Sequence, residues 1–147
     1  MDDKKYESLW SYYKDQREHG KSFDQQRSNI LNFIVAISAG IFAFLSAKGF
    51  CREMIPVSLF VIIIGIYGII IVRKLYERSI YHFMRARECL IEIQSLCDID
   101  FDVIHKNSLS KHLKQFPFSY KMKTHVIWSI LCFLISFLGF YIFCKSV

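Results

Sequence analysis

The chain has 147 residues, 53% of them hydrophobic and 16% aromatic, with a formal net charge of +6. Its apolar residues gather into three runs, at 30–47, 54–72 and 126–144, that contain no Asp, Glu, Lys, Arg or His. The about ninety residues outside these runs are too few and too divided for an enzyme domain with a core of its own.

Each run is 18 or 19 residues long. At about 1.5 Å rise per residue, such a helix matches a hydrocarbon core of roughly 30 Å. The expected fold is an all-α membrane protein with three transmembrane helices, an amphipathic N-terminal helix, and a cytoplasmic helical segment between the second and third spans. The expected division is 1–28 amphipathic helix and linker, 29–47 span, 48–53 external turn, 54–72 span, 73–125 cytoplasmic helices, 126–144 span and 145–147 external tail.

Charge sets the expected orientation. Of 19 Lys and Arg, six precede the first span and ten lie from Arg73 to Lys123; only Lys48, Arg52 and Lys145 remain for the other side. The positive-inside rule then puts the amino terminus and the 73–125 segment in the cytoplasm and the carboxyl terminus outside. Much of the net charge is a solvated face beside anionic lipid, which argues against nucleic acid as a direct partner. The long acidic-and-basic stretch ahead of the first run differs from a cleaved signal, so that run reads as a retained signal anchor.

Taken in chain order, residues 3–19 predict an amphipathic helix with Tyr6, Leu9, Trp10 and Tyr13 along one stripe. Asp2 or Asp3 can cap it and Gly20 can end it. The stripe either lies in the membrane interface or packs on the 73–97 helix. Ser22-x-x-Gln25 resembles a capping box that starts a new helix into the first span. Within that span Asn32, Ala36, Gly40, Ala43 and Ala47 fall along one face. Small residues let backbones approach in lipid, so this seam is expected to face protein, either inside one subunit or between subunits.

Pro56 belongs in the first turn of the second span, where its missing N–H does least harm. Gly65 and Gly68 offer a second thin face, predicting a tight hairpin of the first two spans. From Arg73 the helix is expected to continue to about Cys97, with Tyr76, Ser79, Phe83, Ala86, Leu90, Ile93 and Cys97 as a packing seam. Asp98-x-Asp100-x-Asp102 lacks the glycine and final Glu of a calcium loop and reads as a solvated turn. A short helix over 108–116, capped by Ser108 or Ser110, ends at Pro117. Lys111, Lys114, Lys121 and Lys123, interleaved with Phe116, Phe118 and Tyr120, are candidate lipid-headgroup contacts, with Trp128 at the inner boundary of the third span.

No residue pattern supplies a nucleophile, a phosphate-binding glycine loop or a metal-ligand set, so no catalytic residue, cofactor or metal is expected. The five histidines are scattered, and the spans hold no ionisable group of the kind proton-coupled transport needs. Cys89 and Cys97 are expected to be reduced thiols, Cys132 a small apolar residue in a span, and Cys51 and Cys144 close enough to make a disulfide a minor alternative.

The polar amino-terminal helix with Tyr6, Trp10 and Tyr13, the Arg27-Ser28-Asn29 lead into the first span, the two-span hairpin and the long helix from Arg73 together resemble the SLATT-like small membrane proteins of bacteria, over roughly residues 5–97. The resemblance implies a place in anti-phage systems, in which the membrane protein is the proposed killing arm; nucleotide-gated, CBASS-type and retron-associated systems are comparable settings. RipA-like small membrane proteins, thought to form oligomers, look similar over the same stretch. The likeness is one of pattern, so no functional residue is carried over from it.

The expected function is an oligomeric inner-membrane effector that permeabilises or depolarises the membrane in anti-phage, abortive-infection defence. The alternatives are a non-conducting scaffold or regulatory subunit that tethers a cytoplasmic partner, and a RipA-like membrane homeostasis protein. Expected partners are membrane lipids, further copies of the chain, and a cytoplasmic sensor or regulatory protein of the same operon.

Overall fold

A computed structural model describes residues 3–97, 101–117 and 122–147, the Asp102 side chain excepted. Among these residues every regular element is helical: α1 (Asp3–Lys48), a 3-10 turn (Arg52–Met54), α2 (Ile55–Cys97), α3 (Phe101–Gln115) and α4 (Thr124–Ser146). α1, α2 and α4 are each long and apolar enough to cross a membrane. The protein is therefore all-α, with three candidate membrane spans. Its internal contacts divide it into two units, one of Gln25–Tyr76 with Thr124–Val147 and one of Met1–Asp24 with Glu77–Lys123.

The Gln25–Tyr76 unit is an up-down-up bundle of three apolar helices. Three clusters of buried side chains show the order: Leu31, Val72 and Cys132, then Ile34, Val61 and Ile135, then Leu45, Met54 and Ile142. Positions rise along α1 and α4 and fall along α2. The outward side chains are as apolar as the inward ones; Phe33, Ile63, Ile70 and Phe133 are all more than half exposed. A bundle apolar all round has hydrocarbon, not water, as its natural solvent.

At one end of this bundle α1 stops at Lys48. Gly49 takes φ 79° and its N–H donates to the Leu45 carbonyl at 2.9 Å. That left-handed cap suits glycine, which has no Cβ to strain there. Met54 N–H then donates to the Cys51 carbonyl at 2.9 Å, and Pro56 falls in the first turn of α2 as expected.

The closest helix approach is between α2 and α4. A Cβ placed on Gly65 would stand 2.8 Å from the Ser136 backbone nitrogen and 2.9 Å from the Cys132 carbonyl oxygen. One on Gly68 would meet Cys132 Sγ at 2.7 Å, and one on Gly139 would meet the Ile62 nitrogen at 3.0 Å. Ser136 Oγ donates across the gap to the Ile62 carbonyl at 3.2 Å. The thin face of the second span thus closes on the third span, with Ile34 of the first span also 3.0 Å from where a Gly68 Cβ would be.

In the Met1–Asp24 unit, α1 and α2 meet at Gly20. Phe83 lies flat against it, 2.7 Å from where a Cβ would be, and Ser79 Oγ donates to the Gly20 carbonyl at 3.1 Å. Gly20 therefore does not end a helix: α1 runs unbroken through it and through Ser22, because a missing side chain there admits an aromatic ring. Ala86 and Ile93 are buried further along α2, and Arg85 donates to the Tyr12 hydroxyl while its guanidinium covers the Tyr12 and Tyr81 rings. α3 begins at Phe101, a full two turns before the expected Ser108 or Ser110 cap, and ends at Gln115 just before Pro117. Asp2, Asp98, Asp100, Phe118, Tyr120 and Lys121 lie outside the described residues.

Gly65→Ala should lower stability by about 1–3 kcal/mol, because the added methyl meets backbone atoms that cannot rotate away. Gly40→Ala, with nothing within 4 Å of the new methyl, should be neutral or gain up to about 1 kcal/mol of helix propensity. Detergent-driven unfolding of the two variants measures the contrast.

Candidate functional site

α1 presents two different faces within the Gln25–Tyr76 unit. The bulky face, with Leu31, Ile34, Ser38 and Leu45, is buried against α2 and α4. The opposite stripe, Asn32, Ala36, Gly40, Ala43 and Ala47, is exposed at every position. This chain does not cover its own small-residue seam on α1. Gly65 and Gly68 belong to a different contact, both being buried between α2 and α4. Gly139, their counterpart on α4, was not expected; its signal in the sequence is the spacing of Cys132, Ser136 and Gly139, which sets three small residues on one face.

The hydroxyls of the spans mostly serve their own helices. Ser46, Ser58 and Ser129 donate to the carbonyls of Phe42, Ile55 and His125 at 2.8–2.9 Å. The Ser38 hydroxyl is buried without a hydrogen-bond partner. No polar lining connects these groups, since the residues between them are the buried aliphatic clusters.

At the end of the bundle opposite Gly49, a column of rings and cations forms. Tyr76 stacks on His125 with centroids 4.0 Å apart, and the Arg27 guanidinium lies 5.8 Å from the Tyr76 ring centroid. The column ties α1, α2 and α4 together where their apolar runs stop. Stacking and cation–π contacts of this kind each contribute about 0.5–1.5 kcal/mol. Trp128 is half-buried against Leu31, Val72 and Cys132. At the other end Phe50 meets Tyr141 edge-on at 6.4 Å. Arg73 and His125 each abut an apolar run.

In the Met1–Asp24 unit, the Tyr6, Trp10 and Tyr13 rings stack in succession at 6.5 and 5.3 Å. Tyr13 continues into a cleft of about 250 Å³ whose apolar wall includes Phe83, Leu90 and Phe101 and whose polar edge carries Arg17, Arg87 and His105. Of the α2 seam, Phe83 and Leu90 are half-buried at this cleft and Ile93 is buried, whereas Tyr76 is in the other unit's column. His82 Nδ1 donates to Gln16 Oε1 at 2.8 Å, and its ring stacks on Phe23. Lys111 and Lys114 are exposed on α3 beside Leu113 and Phe116, and Lys123 is exposed before α4.

All five cysteines are free; Cys51 is half-buried and Cys144 exposed. Among the described residues no three His, Cys, Asp or Glu side chains come together to hold a metal ion. No protein-family model, curated protein or solved structure matches this chain.

Burial pushes the Cys89 thiol above its ordinary range, with Glu88 and Glu92 adding to the effect and Arg85 opposing it. A raised thiol pKa means less thiolate at a given pH. Site-resolved alkylation followed by mass spectrometry should show Cys89 slower than free glutathione at about pH 8 and still accelerating toward about pH 10.

Proposed function

We propose that this protein is an oligomeric effector of the bacterial inner membrane that permeabilises or depolarises the membrane, acting in anti-phage, abortive-infection defence as its resemblance to SLATT-like proteins implies. The observation that carries the reading is the exposed Asn32–Ala47 stripe. A helix has no hydrophobic reason to associate in lipid, so a continuous small-residue face left open by its own chain is suited to another backbone. Asn32 strengthens the case: an amide left in hydrocarbon without a partner costs several kcal/mol, and a second copy can satisfy it.

The bundle of one copy has an aliphatic interior, so permeation on this reading runs between copies, with α1 lining or gating the breach. The ten Lys and Arg from Arg73 to Lys123 support a cytoplasmic position for that segment and an external carboxyl terminus. A sensor or regulatory protein of the same operon would act on the cytoplasmic helices. The cleft edged by Arg17 and Arg87 favours a second reading, in which the same helices tether a cytoplasmic partner and the chain does not conduct.

Gly40→Leu and Ala36→Leu should leave the monomer bundle intact, since both sites face outward, yet weaken assembly roughly tenfold or more by separating the facing backbones. Cross-linking in membranes and dye leakage from reconstituted vesicles test this. Retention of both assembly and leakage by the two variants defeats the effector reading; stable co-purification with a soluble enzyme and no leakage from the parent favours the tether.

Orientation has its own test. A cysteine introduced at Lys111 should react with an impermeant maleimide only after the inner membrane is opened, whereas native Cys144 should react in intact spheroplasts. The reverse pattern overturns the proposed topology.

A further inference from the structure

We propose that the groove between α2 and α4 is a binding site for one anionic glycerophospholipid. The groove, of about 440 Å³, carries Arg73, Tyr76 and His125 at one end and Ile69, Ile130 and Phe133 along the rest. Apart from Ser129, whose hydroxyl is taken up by the His125 carbonyl, its polarity changes from cationic to apolar, as it does along a phospholipid from phosphate to acyl chain. From Val126 to Phe133 the α4 wall spans about two helical turns, or about 11 Å, which takes the upper part of an acyl chain.

The polar end is held in place by its neighbours. The Tyr76 ring is fixed between His125 at 4.0 Å and the Arg27 guanidinium at 5.8 Å, and Arg73 is one helical turn earlier on α2, exposed. A guanidinium presents a planar fork of donors that matches phosphate oxygens. Arg73 is also the first charged residue after the 54–72 run, and His125 the last titratable one before the 126–144 run. Both stand at the depth where lipid phosphates lie, in a chain with three helices able to cross a membrane.

Charge complementarity selects the occupant. A zwitterionic lipid brings its own ammonium to the cationic end, whereas a phosphatidylglycerol-type headgroup leaves its phosphate charge for Arg73 to neutralise. Basic pockets between spans at the membrane boundary are a recognised setting for such headgroups. The site rests on the membrane-spanning reading alone and is independent of whether the protein permeabilises anything.

The test uses Trp128, which sits one residue before Ser129 of the groove wall, as reporter. In the full chain carrying Trp10→Phe, fluorescence is measured in vesicles of phosphatidylcholine doped with acyl-brominated phosphatidylglycerol or with acyl-brominated phosphatidylcholine. The brominated anionic lipid should be preferred by roughly fivefold, and Arg73→Gln should remove most of that preference. Arg73→Lys should keep part of it, and the Lys111→Gln, Lys114→Gln double variant should keep nearly all. Millimolar inorganic phosphate should not compete, since it has no chain for the apolar wall.

Equal quenching by the two brominated lipids in the parent protein overturns the proposal without recourse to any variant. So does a preference that survives Arg73→Gln, or that falls equally with the α3 lysines, either of which marks diffuse surface charge. Competition by inorganic phosphate replaces the lipid with a soluble anion and overturns it too.

Discussion

Lipid tails surround an apolar side chain as favourably as protein does, so nothing hydrophobic holds one membrane helix against another. What remains is dispersion at close range, hydrogen bonds across helices, and polar groups that have nowhere else to go. The bundle of α1, α2 and α4 answers to that constraint. Gly65, Gly68 and Gly139 remove the side chains that would keep α2 and α4 apart, and Ser136 uses the resulting closeness to reach a carbonyl of the neighbouring helix. Where the apolar runs stop, Arg27, Tyr76 and His125 add contacts that belong to the polar side of the boundary. Each of these devices would be a minor term in a water-soluble core. In hydrocarbon they are the main ones.

The same constraint separates what the residues disclosed from what they did not. The absence of charge over 18 or 19 positions is a one-dimensional property with a one-dimensional cause, the thickness of the bilayer, and the three spans could be read directly. A small-residue face is different, because helical periodicity says which residues share a side and not which helix will meet them. Gly65 and Gly68 were recognised as a thin face and read toward the first span; Gly68 does meet Ile34 there, but both also close on α4, which leaves no trace near them in the sequence. Gly139 shares a face with Cys132 and Ser136, a short small-residue pattern that went unread. Gly20 shows tertiary packing overruling local preference: glycine next to a polar run reads as a stop, but with Phe83 filling its missing side chain the helix gains more by continuing. For the start of α3, the acids at 98–102 looked like a turn when taken by themselves, and a helix from Phe101 took in positions that had been assigned to a loop.

Of the candidate residues, the α1 stripe was the most legible as a pattern and the least legible in its direction. Two outcomes were open, burial within the chain or an outward face, and they have opposite consequences. Burial would make the stripe part of ordinary packing. Exposure leaves Leu31, Ile34 and Leu45 to α2 and α4 and the small residues outward. Exposed Phe33 and Phe44 share the outward side with the stripe, and small positions next to larger ones are what the ridges of a second helix pack into.

The hydroxyls carry this one step further. Ions cross a bilayer only where polar groups replace their hydration over the whole thickness, or where water itself fills the gap. Inside one bundle Ser46, Ser58, Ser129 and Ser136 donate to carbonyls of their own or an adjacent helix, and Leu31, Ile34, Val61, Val72 and Ile135 fill the buried interior. Opening a path there would mean unpacking the clusters that define the fold. On the outer face of α1 no such cost applies, because Asn32, Ala36 and Gly40 are exposed among the described residues. Any conduction by this protein is thus most economically a property of the space between copies. On the proposed reading its onset would depend on how copies meet along α1 and would leave the three-helix core undisturbed.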